Sequence, residues 1–434
     1  MVIFVFNLIK MKNLLFAILF IAGSQLFAQD TLTFLQYNLL NYGNYTSYCT
    51  EDNNPVSAKD DYIQTIVDYI QPDVFTVNEV TGSQAMHQHL LDVGVNAGGD
   101  KYRMANFIYQ ASPYLVNLLF YNHEKLALHS HVIAQSLIRD IDVYTLFYKS
   151  DDLSLGDTAF ITCVVAHLKA GNGAEEAQTR NQMAENTMAF LENYGTDENY
   201  LLSGDFNVYT SSEAAYQTFT QYPNSTLRFN DPIDKPGSWN NNSSFASVHT
   251  QSTHTSSGCA SSGGMDDRFD FILMSNNLKF GAKHLRYVPG SYRAVGQDGL
   301  HFNKNLTDSP TNTSVPADVL TALYENSDHL PVTMKVAVDK TLGISEWLST
   351  DFEEVRFNNP VHAQLKLQIV TKQSSQIEVV LYNLWGKEVM KLSRQLEQGT
   401  HEVNMDVQSL PTGMYLVSVA DSRNRRVTRK LIID

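Results

Sequence analysis

Short apolar runs rich in β-branched and aromatic residues recur between residues 30 and 340, and only some are separated by stretches of helical spacing. "TLTFLQYNLL", "DVFTVNEV", "FIYQ", "YLVNLLFY", "DVYTLFY", "DTAFITCVVAHL", "LLSGDFN", "RFDFILMS" and "PVTMKVAV" all read as strands. Ile63, Ile66, Val67 and Ile70 fall on one helical face before Pro72. Met183, Ala184, Met188, Phe190 and Leu191 do the same within 174–193, and a further helix is expected near 316–325. Strands that outnumber the helices between them fit sheets packed together with helices outside, an α/β layered domain. A chain of 434 residues has room for this domain and a second one.

The second domain is expected at 351–434, after a linker at 341–350. "LKLQIV", "QIEVVLYNLWG", "HEVNMDV", "GMYLVSVA" and "RVTRKLIID" alternate apolar and polar residues, the pattern of a small all-β sandwich. The stretch from Met11, "MKNLLFAILFIAGSQLFAQ", has Lys12, an apolar run and Ala28 before a polar residue, so 1–28 reads as a signal peptide. Translation can begin at Met1 or at Met11. The apolar run from Leu14 is short for a bilayer, and no stable membrane span is expected. Three cysteines without CxxC spacing exclude a zinc ribbon; Cys163 sits in an apolar run, while Cys49 and Cys259 lie in polar loops where an exported chain can pair them. With 46 acids against 31 bases the net charge is −15, which argues against a large basic nucleic-acid footprint. It does not exclude a polyanionic substrate, because bound divalent cations supply positive charge locally.

Polar residues of catalytic type stand at the ends of the strands. Asn38 ends "FLQYN", Glu79 ends "DVFTVNE", His167 ends "CVVAH", and Asp205 and Asn207 end "LLSGDFN". Asp270 lies in "DRFDFIL", and Asp328 and His329 form "SDHLP" before the last strand of the domain. Positions i and i+2 share a face while a strand stays extended, which would aim Asp205 and Asn207 into one place. Each residue alone has an ordinary structural explanation: a turn, a cap, a satisfied histidine, or an acid held by Arg268. Together they form a set of oxygen and imidazole groups suited to a hard cation, a phosphate and an attacking water.

The ordered set "YN", "NE", "AHL", "GDFN", "RFDFI" and "SDHLP" resembles the endonuclease/exonuclease/phosphatase superfamily, which has the pancreatic deoxyribonuclease fold. The resemblance spans 31–338 and departs at Asn78-Glu79, where the family usually shows Gln-Glu. It implies a four-layer α-β-β-α sandwich over 29–340 and metal-dependent hydrolysis of a phosphate ester. Carried over by position, Asn38, Glu79 and Asp328 hold Mg²⁺, with Mn²⁺ or Ca²⁺ as alternatives. Asp205 and Asn207 orient water and phosphate. His329 contacts the phosphate or acts as acid/base, paired with Asp270 or its rival Asp267, and His167 is the second histidine. Lys169 is left between a phosphate contact and a solvated role, and Arg180 is expected in a salt bridge. The expected activity is a secreted nuclease acting as a monomer on DNA or RNA. A sphingomyelinase-like or other phosphoester hydrolase is the alternative, and an inactive surface-binding module stands as a reading of another class.

"NNPV", "LYNLWGKEV", "LPTGMYLVSV" and the terminal "RKLIID" resemble the sorting domain of the Bacteroidetes type IX secretion system. That resemblance implies export by the signal peptide and then the type IX machinery, to the outer surface or beyond, with the domain removed.

Overall fold

The computed structural model describes residues 30–111, 114–150, 158–338, 351–383, 387–423 and 426–434; the expected signal peptide and linker lie outside them. Contacts divide the described chain into two compact units, one of residues 30–149 and 159–338, the other of residues 351–434.

In the first unit the chain lays down β1 (Asp30–Tyr42), β2 (Val74–Thr81), β3 (Tyr102–Met104) and β4 (Leu115–Asn122). It then builds a second sheet from β5 (Leu126–Gln135), β6 (Ile141–Tyr148), β7 (Phe160–His167), β8 (Tyr200–Asp205) and β9 (Asp270–Met274). It returns to the first sheet with β10 (Leu285–Tyr287), β11 (Arg293–Ala294) and β12 (Val332–Val338). The sheet orders are β10-β12-β1-β2-β4-β3, with β11 on β12, and β5-β6-β7-β8-β9. Each sheet has one parallel pair, β1 with β2 and β7 with β8. A parallel pair needs a long crossover. Helices Val56–Ile70 and Ala174–Tyr194 supply them, close to where apolar spacing placed them.

Alternation along each strand sorts its side chains into layers. Phe34, Val74, Cys163, Leu201, Ile272 and Met334 meet between the two sheets. Leu35, Phe75 and Val77 face the other way, against Ile63 and Val67 of helix Val56–Ile70 and Leu323 of helix Ala317–Asn326. Val164 and Leu202 pack on Met183, Met188 and Leu191 of helix Ala174–Tyr194. The result is the expected helix-sheet-sheet-helix sandwich. β5, "LALHSHVIAQ", is a strand that sequence reading passed over, because its two histidines interrupt the apolar signal.

The second unit contains β13 (Phe352–Phe357), β14 (Gln364–Thr371), β15 (Ser375–Asn383), β16 (Glu388–Leu396), β17 (Gly399–Asp406), β18 (Gly413–Ala420) and β19 (Arg426–Ile433). They form sheets ordered β13-β14-β17 and β16-β15-β18-β19 around Leu367, Ile369, Val379, Leu381, Val403 and Val417. Five of these strands were legible in the sequence. β13 and β16 were not; β16 is a largely exposed edge strand carrying Lys391 and Arg394, the charge with which edges avoid further pairing.

Candidate active site

The same alternation that builds the inter-sheet core places the polar strand ends. In β7, Cys163 and Val165 face the opposite sheet, so His167 does too. In β8 Leu201 faces inward, and Asp205 follows at the same parity; in β9 Ile272 sets the direction of Asp270. His167 pairs with Asp205, and Asp205 with Asp270, so the three stand in a row across neighbouring strands. Opposite them, Asn38 pairs with Asn78 just before the register of β1 and β2 shifts. Gly204 makes the close pairing possible: its φ is +145°, and a Cβ there would stand 1.7 Å from the Ala166 carbonyl oxygen.

Beyond this row the backbone bends sharply. Glu79 adopts φ 61°, Leu40 44° and Asn41 52°, left-handed values that cost non-glycine residues on the order of 1–3 kcal/mol each. The register of β1 and β2 shifts at the same place. Local bonds hold the bend: Leu40 N donates to Asn38 Oδ1 at 2.9 Å, and Asn41 N to Glu79 Oε2 at 3.1 Å. Asn78 anchors the end of β8. Its Oδ1 accepts from Gln36 Nε2 at 2.6 Å and from the backbone N–H of Asp205 at 3.0 Å.

Six predicted residues converge: Asn38, Glu79, His167, Asp205, His329 and Asp270. Asn38 Nδ2 donates to Glu79 Oε1 and to Asp205 Oδ2, each at 3.1 Å. His167 Nε2 lies 3.7 Å from Glu79 Oε1 and 3.6 Å from Asp205 Oδ2. His329 Nε2 approaches the same Asp205 oxygen at 3.8 Å from the other side. Behind it, His329 Nδ1 meets Asp270 Oδ2 at 2.7 Å. Asp267 instead accepts from Asn240 Nδ2 at 2.9 Å, so Asp270 is the acid that orients the ring. Asn207 joins the site by a different route from the expected one. β8 ends at Asp205, Asn207 turns to φ 51°, and its backbone N–H donates to Asp205 Oδ1 at 3.0 Å. Asp328 sits beside His329, with Oδ2 accepting from Ser261 N at 2.8 Å and Oδ1 buried without a hydrogen bond, 3.9 Å from His329 Nε2.

The electrostatics separate the two histidines. Burial, Arg139 and the charge of His329 push His167 well below the ordinary imidazole value, so it is neutral. Burial opposes charge on His329 as well, but Asp270, Asp205 and Asp328 override it and hold the ring protonated. Burial, with Asp270 and Glu79 adding to it and His329 opposing, raises Asp205 to about 7. Ligand atoms of Glu79, His167 and Asp205 lie within 4.8 Å of one another. A carboxylate raised by burial and by its acidic neighbours, and a buried Asp328 oxygen that accepts no hydrogen bond, are acidic oxygens that a divalent cation would neutralise. The donor set fits such an ion.

Three neighbours carried no signal in the sequence. Gln251 Nε2 lies 2.8 Å from His329 Nε2. Arg139 Nη1 donates to the carbonyls of His167 and Leu168 at 3.1 and 2.8 Å. Lys59 is buried in helix Val56–Ile70 and donates to the Asn326 carbonyl; burial lowers it to about 7 against the opposing charges of Asp328 and Glu79. Arg180 takes the expected salt bridge, to Glu213 at 2.5 Å, and the Lys169 ammonium donates to Ala170 O.

The profile of the Endonuclease/Exonuclease/phosphatase family matches residues 35–311. The chain belongs to the endonuclease/exonuclease/phosphatase family. Its members are phosphodiester and phosphomonoester hydrolases, typically dependent on a divalent metal. Residues 357–434 match the secretion system C-terminal sorting domain, which marks the chain for type IX export to the cell surface or outside. No curated protein matches in sequence. Among solved structures, D. rerio TDP2 complexed with single-strand DNA product is similar at 12% identity and TM-score 0.44, over 71% of this chain and 100% of that one. The human Nocturnin catalytic domain with bound sulfate is similar at 16% and 0.43, over 72% and 98%. An endonuclease/exonuclease/phosphatase from Beutenbergia cavernae is similar at 11% and 0.37, over 92% and 99%.

Proposed function

We propose that this family member is a secreted, divalent-metal-dependent phosphodiesterase that cleaves nucleic acid, DNA or RNA, by attack of water on phosphorus. The observation that carries the reading is Asp205, set between a neutral and a protonated imidazole at 3.6 and 3.8 Å. Groups whose surroundings push their proton affinities apart divide acid and base work between them. Asp205, near 7, takes the proton of the attacking water, with Asn207 beside it orienting water and phosphate. His329, held protonated by Asp270, donates to the phosphoryl or leaving oxygen. His167 faces the same oxygens as a neutral ring. Glu79 and Asp328, with Asn38, are assigned to the cation, Mg²⁺ or Mn²⁺, and the His167 nitrogen suits Mn²⁺ better than Mg²⁺. A bound ion would neutralise phosphoryl charge and fix the substrate's position.

One feature supports the lipid-directed alternative. The turn between β5 and β6 exposes Leu137 and Ile138, next to the Arg139 that braces His167. Tyr109 and Ile108 are exposed on a loop tied to the same turn, where Gln110 N and Ala111 N donate to Asp140 at 2.8 and 2.9 Å. An apolar rim of this kind suits an amphiphile. A panel of supercoiled plasmid, single-stranded RNA, sphingomyelin vesicles and a phosphate monoester, each with Mg²⁺ and with EDTA, separates the readings. The proposal expects EDTA-sensitive cleavage of plasmid or RNA; turnover of sphingomyelin alone overturns it in favour of the alternative.

A further inference from the structure

His329 Nδ1 is committed to Asp270, so Nε2 is the ring atom left for a substrate. The group nearest to it is the side-chain amide of Gln251, at 2.8 Å, with Asn38 Nδ2 next at 3.5 Å. The same Gln251 nitrogen lies 3.4 Å from Asp328 Oδ2. Whichever way the amide is turned, one of its terminal atoms fills the space through which a phosphoryl oxygen would reach His329. We propose that Gln251 is a phosphate-contacting residue: its amide holds that space in the free chain and passes to the phosphoryl oxygen when substrate binds.

The backbone at Gln251 favours such a handover. Its N–H donates to Asp267 O at 3.0 Å, and its carbonyl accepts from Asp266 N at 2.9 Å and Asp267 N at 2.8 Å. With the main chain pinned on both sides, only the side-chain torsions are free to change. Gln251 is half-buried, so the amide has room to turn, and an amide nitrogen keeps two N–H donors to offer an anionic oxygen. A hydrogen bond to a charged group is worth more than a neutral one, and its loss here corresponds to about tenfold in affinity.

This inference rests on the phosphoesterase reading. It is tested by calorimetric titration of inorganic phosphate into the full chain supplied with Mg²⁺, comparing wild type, Gln251→Ala and Gln251→Met. The methionine keeps the length of the side chain and removes only the amide, which guards against losses caused by a cavity. Both variants are expected to bind phosphate about tenfold more weakly, with unchanged thermal midpoints. Equal or tighter binding by either variant overturns the inference alone. Absence of phosphate binding by the wild type overturns the inference together with the reading beneath it.

Discussion

A carboxylate that is 1% exposed, with Glu79 and Asp270 nearby, gives up its proton reluctantly even though the protonated His329 opposes this. Asp205 is raised to about 7 by burial and by these acids, so the folded chain binds its proton more tightly than the unfolded chain does. Its contribution to stability is therefore present at acid pH and is lost as pH rises through about 7. A cation competes with that proton. Added Mn²⁺ should raise the melting temperature more at about pH 8 than at about pH 5.5; equal increments would show that the charge of the ion does not act on the Asp205 proton. Asp205→Asn removes the like-charge conflict, so it should melt no lower than the wild type without metal while its kcat falls by about 10²–10⁴. The residues of this cluster were legible in the sequence because each is an acid, amide or histidine at one end of an apolar run, closing it at Asn38, Glu79, His167 and Asp205 and preceding or opening it at Asp270, Asp328 and His329. Gln251, Arg139 and Lys59 were not. Each stands alone in a loop, a turn or a helix, and only long-range closure of the fold brings it to the site.

At the scale of elements, strand alternation fixes where the row His167–Asp205–Asp270 points, and the loops between strands complete the site. Two of these loops are joined by the disulfide Cys49–Cys259, a pairing that the sequence left open. One follows β1, where Cys49 Sγ accepts from Asn41 Nδ2 at 3.6 Å while Asn41 N donates to Glu79; the other carries Ser261, whose N–H donates to Asp328. The bridge closes a sequence separation of 210 residues, and cross-links of this kind contribute about 2–5 kcal/mol. Reduction with a dithiol should lower the urea midpoint and raise the metal concentration needed for half-maximal activity. If the midpoint falls while the metal dependence stays unchanged, the bridge supports the fold without supporting the carboxylates. Cys163, buried between the sheets with its thiol pushed up to about 12, should stay unreactive in the native chain.

For the whole molecule, the division of labour follows the two units. Residues 30–149 and 159–338 carry every group assigned to chemistry, and residues 351–434 carry the sorting domain. The layered class of the first unit was readable because helices intervene between only some strands, and that of the second because apolar residues alternate. The sharp bends at Leu40, Asn41, Glu79 and Asn207 were not readable, since none is a glycine and each is held by a side-chain oxygen accepting from a backbone N–H, locally at Leu40 and Asn207 and across strands between Asn41 and Glu79. These bends shape the sheet ends where the site residues meet. The central claim is that oxygen and imidazole groups from separate strands act there together, with a divalent ion, on a phosphodiester. Its most direct test is the rate of supercoiled plasmid nicking by the full chain and by His329→Ala, in Mg²⁺ and after chelation with EDTA. The account predicts nicking by the wild type that EDTA abolishes and that the variant loses by about 10²-fold or more. Nicking that survives both chelation and the loss of His329 would contradict it.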